Sequence, residues 1–209
     1  MEVPNALAHR PVHGYPVLAW QRMGRVFFAM GMSLDGYVED ASGSFDFTAP
    51  DDEVHRIANE QARDAAVFVF GRRMYELMES YWPAAAAAPD ELSEVAAEFA
   101  RVYVETPRVV VSDSLGDVPD GVRLVRRADA AAEVTRLARE HEGHIEVGGP
   151  TLAAALFDLI DEFRTWVNPV AVGGGKPYFP AGGEQLRLRL LEQRAFASGA
   201  LYLRYERVR

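Results

Sequence analysis

A chain of 209 residues, 49% hydrophobic and 25% charged, has the balance of an ordinary globular protein, long enough for one well-buried domain and short for two. It has no cysteine, which excludes disulfides, thiolate nucleophiles and thiolate-bound metals, and no apolar run approaches the roughly 20 residues a membrane span needs. A formal charge of −9 disfavours a phosphate backbone as partner, so the expectation is a cytoplasmic protein that handles small molecules and binds neither nucleic acid nor membrane.

Residues 1–23 carry Pro4, Pro11, Gly14 and Pro16 without a helical or strand period, and read as an N-terminal arm ahead of a domain over 24–209. "RVFFAMGM" is a continuous apolar run, as in a strand covered on both faces, and leads into the polar loop Ser33-Leu34-Asp35-Gly36. Turn residues follow, and Asp51 or Asp52 caps a helix over "DEVHRIANEQARDA" that buries Val54, Ile57 and Ala58. "AAVFVFG" is a second buried strand, with a helix from "RRMYELMESYW" directly after it. The proline-bracketed "PAAAAAP" reads as a surface linker to the helix "DELSEVAAEFARVY". "PRVVVSDS" and "GVRLVRR" are strands, and "DAAAEVTRLAREHEG" is a helix with Asp129 at its start and Gly143 as its C-cap. "HIEVGGPTLAAALFDLI" repeats the order strand, glycine turn, helix. "DEFRTWVNPVAVGGGKPYF" supplies one further strand, and the C-terminal "LRLRLLEQRAFASGALYLRYERV" is a hairpin turning at Ser198-Gly199. Strands alternating with helices imply a mainly parallel sheet, with antiparallel strands added by the hairpin, in a single α/β domain.

Two turns are suited to phosphate. In "VFVFGRRMYE" a strand ends at Gly71 where a helix begins with Arg72 and Arg73, so guanidinium donors stand beside free helix amides. The alternative is a pair of solvated arginines. In "IEVGGPTLAAAL", Gly148 and Gly149 permit close backbone approach, Pro150 suits a first helical turn, and Thr151 offers a hydroxyl. The alternative is a tight turn without a ligand. Neither stretch has the Gly-x-Gly-x-x-Gly pattern, and "VAVGGGKPYF" lacks the leading glycine of a P-loop. Both turns nonetheless leave the carboxyl ends of strands, where open α/β sheets bind ligands. The histidines are scattered and no metal site is expected.

"MSLDGYVED", "FGRRMYE", "VVVSDS", "IEVGGPTL" and "NPVAVGGGKPYF" stand in an order that resembles the dihydrofolate reductase-like family, in particular the reductase domain of bacterial bifunctional riboflavin-biosynthesis deaminase-reductases and their stand-alone relatives. The resemblance implies a three-layer domain on a sheet of about eight strands and a homodimer. It also implies bound NADPH and hydride transfer to a small heterocyclic or carbonyl-type substrate, as in 5-amino-6-(5-phosphoribosylamino)uracil reductases or dihydrofolate reductases. Carried over to this sequence, Gly71, Arg72 and Arg73 hold the adenosine-side phosphates, with Arg72 reading the 2′-phosphate. Ser112 lines the adenosine pocket, and Gly148, Gly149, Pro150 and Thr151 receive the pyrophosphate. Ala29 and the loop of Ser33, Leu34, Asp35 and Gly36 border the nicotinamide and substrate, with Gly36 a hinge. Asp35 is the candidate proton donor, with water as the alternative donor and a turn-forming role as the alternative for the residue. Where such relatives carry basic residues after this loop, this chain has Asp46, Asp51, Asp52 and Glu53, and Met74 replaces a hydroxyl residue. A non-catalytic nucleotide- or pterin-binding module, and a reductase using NADH, are the other readings.

Overall fold

A computed structural model describes residues 24–182 and 184–209, so the expected arm over 1–23 lies outside the described residues. The chain runs β1 (Val26–Ser33), β2 (Tyr37–Asp40), α1 (Asp52–Asp64), β3 (Ala65–Gly71), α2 (Arg72–Ala87), α3 (Glu94–Glu105), β4 (Arg108–Val111) and β5 (Val122–Val125). It continues through α4 (Ala130–Glu140), β6 (His144–Gly148), α5 (Pro150–Ala155), β7 (Glu162–Asn168), β8 (Gly175–Pro177), β9 (Leu188–Ala195) and β10 (Leu201–Arg207). Eight strands form one sheet in the order β5-β4-β3-β6-β1-β7-β10-β9. The six from β5 to β7 are parallel, and β10 runs antiparallel to both of its neighbours.

The apolar runs exist because both faces of the parallel strands are covered. On one face Phe28, Val69, Val109, Ile145 and Val147 pack against α4 and α5 through Val134, Leu137 and Leu152. On the other, Phe27, Phe68, Phe70 and Val110 meet Ala62 of α1, Tyr75 of α2 and Tyr103 of α3. Asp51 caps α1 by accepting from the Val54 amide at 2.9 Å. Val54 and Ile57 are buried as expected, but Ala58 is only half-buried, and Asn59 and Gln61 go inside instead. The Asn59 amide donates to the Val95 carbonyl at 2.9 Å and to Glu98 at 2.8 Å, so it ties α1 to α3.

Several elements differ from the sequence reading. The "PAAAAAP" stretch is mostly helix, because α2 runs through Pro83 to Ala87. Alanine is the best helix former and Ala85 packs inside, which outweighs the amide that Pro83 cannot supply. The C-cap of α4 is His141, two residues before Gly143. The long segment ending at Phe179 divides into β7 and β8, and β8 pairs with β2 in a separate two-stranded sheet. A pairing of three or four residues with 134 or more between them leaves no local pattern.

A buried charge cluster lies below the sheet's second face. Glu162 is fully buried and meets Arg204 at 2.7 Å, Arg25 at 2.8 Å and Arg164 at 3.1 Å. Arg164 in turn lies over the Phe27 ring at 3.8 Å. Glu146, between Phe27 and Phe68 in the sheet, makes no hydrogen bond to the described residues, and burial pushes its carboxyl up to about 7 from an ordinary 4.5, against the opposing pull of Arg164. A raised carboxyl binds its proton more tightly in the fold than in the unfolded chain. Its contribution is therefore fully present below about 4.5 and lost as pH rises through about 7. Glu146→Gln is expected to flatten that fall and to stabilise the protein above pH 7 by about 1–3 kcal/mol, read as a higher thermal midpoint there and little change below pH 4.5.

Candidate functional site

Strands β3 and β6 are neighbours; β3 ends in Gly71 directly before α2, and β6 ends in Gly148 with Gly149 between it and α5. From β3 the chain passes through α2 and α3 toward β4 on one side of the sheet order. From β6 it passes through α5 to β7 on the other. This reversal opens a crevice at the carboxyl ends of the two strands, the place where open parallel sheets take ligands. A cavity of about 730 Å³ occupies it, lined by Gly71, Arg72 and Arg73 from the first turn and Gly149, Pro150 and Thr151 from the second. Such a volume suits a small organic ligand. The two phosphate-competent turns therefore face one space.

The glycines of the second turn have local reasons. A Cβ on Gly148 would stand 2.4 Å from Phe70, and Gly149 has φ +98°, which an L side chain rarely adopts. Pro150 fills the first position of α5 as expected.

Charge at the cavity is largely cationic. Arg72 donates to Glu76 at 2.7 Å and to the Ser114 hydroxyl at 2.8 Å. Arg73 donates to Glu39 at 2.7 Å and to the Gly43 carbonyl at 2.9 Å, and so ties α2 to β2. Lys176 of β8 reaches Thr151 at 3.4 Å and stands 4.0 Å from Glu39, and Arg127, before α4, also lines the space. Met30, Val38, Phe45, Met74 and Leu77 form the apolar lining.

The RibD C-terminal domain family matches residues 25–202. The chain belongs to that family. A relative, the uncharacterized protein YyaP of Bacillus subtilis (strain 168), is 23% identical over 184 residues, 87% of this chain and 94% of the relative. Among solved structures, the diaminohydroxyphosphoribosylaminopyrimidine deaminase/5-amino-6-(5-phosphoribosylamino)uracil reductase of Thermotoga maritima is similar with TM-score 0.63 at 13% identity, over 89% of this chain and 57% of that one. The dihydrofolate reductase of Enterococcus faecalis, complexed with NADP(H) and RAB-propyl, is similar with TM-score 0.58 at 12% identity, over 88% and 97%. These likenesses establish the expected fold, and membership of the RibD C-terminal domain family supports a reductase-type function.

The substrate-side loop differs most from its sequence reading. Asp35 accepts from the Ser33 hydroxyl at 2.6 Å and from the backbone amides of Gly173 at 2.7 Å and Val172 at 3.1 Å. The Ser33 bond, with those two amides, holds its carboxyl below the usual carboxylate range. An ionised group whose oxygens already accept three bonds is a poor proton donor, and it does not line the cavity. The catalytic expectation for Asp35 is thus corrected to a turn-forming role: it staples the loop to residues 172–173. Ser33 also accepts from the Tyr37 amide at 3.0 Å, the Leu34 amide donates to the Val170 carbonyl at 2.7 Å, and Gly36, at φ +88°, closes this hydrogen-bonded turn. Leu34 points outward, 69% exposed.

Two other placements change. Ala29 packs in the second core, and the adjacent Met30 lines the cavity in its place. Buried Ser112 lies outside the lining and accepts from the amides of Ser114 at 3.2 Å and Leu115 at 3.1 Å, which sets the turn that presents Ser114 to Arg72. Sequence reasoning missed Arg127, Lys176, Glu39 and Phe45. "VRRAD" before a helix repeats the basic start of "GRRMYE", so Arg127 had a signal. Lys176 and Glu39 meet only through the β2–β8 pairing. Asp35→Ala is expected to loosen the staple: amide exchange at Val172 and Gly173 should rise about tenfold or more, while amides of β3 and β6 keep their protection.

Proposed function

We propose that the protein is an NADPH-dependent reductase of a small heterocyclic or carbonyl-type acceptor. The observation that carries this reading is the convergence of Arg72, Arg73, Arg127 and Lys176 on one cavity at the strand-switch crevice of a chain whose net charge is −9. Such a donor set fits the phosphates of a dinucleotide. Arg72 and Glu76 are each about half exposed, and such surface ion pairs contribute on the order of 0–1 kcal/mol, so exchanging the carboxylate for a phosphate costs little. The bound NADP(H) of the Enterococcus faecalis dihydrofolate reductase supports the same cofactor.

In this reading Arg72, with Ser114 beside it, receives the 2′-phosphate. Arg73, Lys176, Thr151 and the amides at the start of α5 receive the pyrophosphate. Met30, Val38, Phe45 and Met74 exclude water near the reacting ring. When bound, the reduced nicotinamide supplies the hydride, and the residues of the chain bind and orient. With Asp35 engaged in its loop, water supplies the proton. That same engagement favours a second reading, a nucleotide- or pterin-binding module without turnover, which oxidation of NADPH by any acceptor excludes. Self-association as a homodimer is the partner arrangement proposed for the 23.1 kDa chain.

Titration with NADPH and with NADH, followed by cofactor fluorescence, is expected to give tighter binding of NADPH, and binding of neither removes the proposal. Arg72→Ala should weaken NADPH about tenfold, or ~1.4 kcal/mol, with NADH unchanged. An unaltered preference would take the 2′-phosphate away from Arg72. Light scattering at twice 23.1 kDa is expected for the dimer, and a monomer mass refutes it.

A further inference from the structure

The cavity's charges also constrain the molecule that is reduced, an inference that rests on the cofactor reading above. Among the described residues lining the cavity, the cations are Arg72, Arg73, Arg127 and Lys176, at the starts of α2 and α4 and on β8 beside α5. A dinucleotide with a 2′-phosphate presents three phosphate groups to these four side chains. What then remains of the lining is apolar, chiefly Met30, Val38, Phe45, Met74 and Leu77, together with the carboxylates of Glu39 and Glu76.

The chain segment that carries β1 and β2 is acidic. Residues 26–55, which run from β1 through the Ser33–Gly36 turn and β2 into the first turn of α1, contain seven Asp or Glu and no Lys or Arg. This span supplies Met30, Val38, Glu39 and Phe45 to the cavity. Of these acids Glu39 lines the cavity itself, and hydrogen bonds from Ser33, from Ser42 and Ser44, and from the Val54 amide hold Asp35, Asp40 and Asp51, outside the lining, below the usual carboxylate range. The carboxylates of Glu39 and Glu76 in the lining, with the acidic segment that carries Glu39, disfavour an anion there.

We propose that the acceptor reduced by this protein is a largely apolar molecule, neutral or cationic, that carries no phosphate, in contrast to the phosphoribosyl compound named for the Thermotoga maritima reductase. The cations at the switch crevice serve the cofactor, and the acceptor meets thioether, aliphatic and aromatic surface bounded by carboxylates.

The test uses the full chain saturated with NADPH, with saturation established first by cofactor fluorescence. Failure at that first step refutes the cofactor reading and is recognised as such. The loaded protein is then titrated with ribose 5-phosphate, followed by phosphorus resonance broadening, and with menadione, a neutral naphthoquinone, followed by quenching of the bound cofactor. Saturable binding of menadione at least tenfold tighter than any binding of ribose 5-phosphate is the expected result. Binding of ribose 5-phosphate as tight as or tighter than that of menadione overturns the proposal, and so does a loaded protein that binds no menadione at millimolar concentration.

Discussion

The adjacency of β3 and β6, two parallel strands that each end in glycine and send their helices to opposite faces, is the constraint on which the rest depends. Because α2 and α5 diverge from neighbouring strands, they leave a crevice at the sheet edge between them. The amides and side chains of two helix starts are therefore directed at one volume. Gly148 is part of that constraint in a direct way, since any side chain there would strike the buried Phe70 ring of the neighbouring strand. The cavity exists because the chain reverses direction in the sheet order at this point.

Around that crevice the chain uses charge twice, for different ends. Below the sheet's second face, Glu162 is fully buried among Arg25, Arg164 and Arg204, where removal of one partner would leave an uncompensated charge. At the cavity Arg72 and Glu76 form a pair about half exposed on both sides, whereas Arg73 also holds Glu39 of β2. Exposed pairs of this kind hold side chains near a working position without a large cost of release. The first set joins β1, β7 and β10 in the sheet. The second is available to a ligand.

The β2–β8 pair lines the site through Val38, Glu39 and Lys176, and the stapled Ser33–Gly36 turn leads directly into β2. Val38 is fully buried and anchors β2, Arg73 ties β2 to α2, and Asp35 ties the turn to residues 172–173. A wall fixed at three points gives a cavity of set shape, which suits a site whose contribution is positioning.

The sequence by itself determined the buried strands, the helices between them and the two glycine turns, because apolar runs, caps and glycine pairs act within a few residues. Gly71, Arg72 and Arg73, and Gly149, Pro150 and Thr151, were legible for that reason, and they line the cavity. Tertiary structure alone decided that both turns share one space, that Lys176 crosses to Thr151, and that Met30 rather than Ala29 faces the cavity. It also decided that Asp35 gives its oxygens to amides 137 and 138 residues away, so that a carboxylate which looked available for proton transfer serves as a staple. Those outcomes depend on strand order and on partners distant in the chain, and a local pattern carries no information about either.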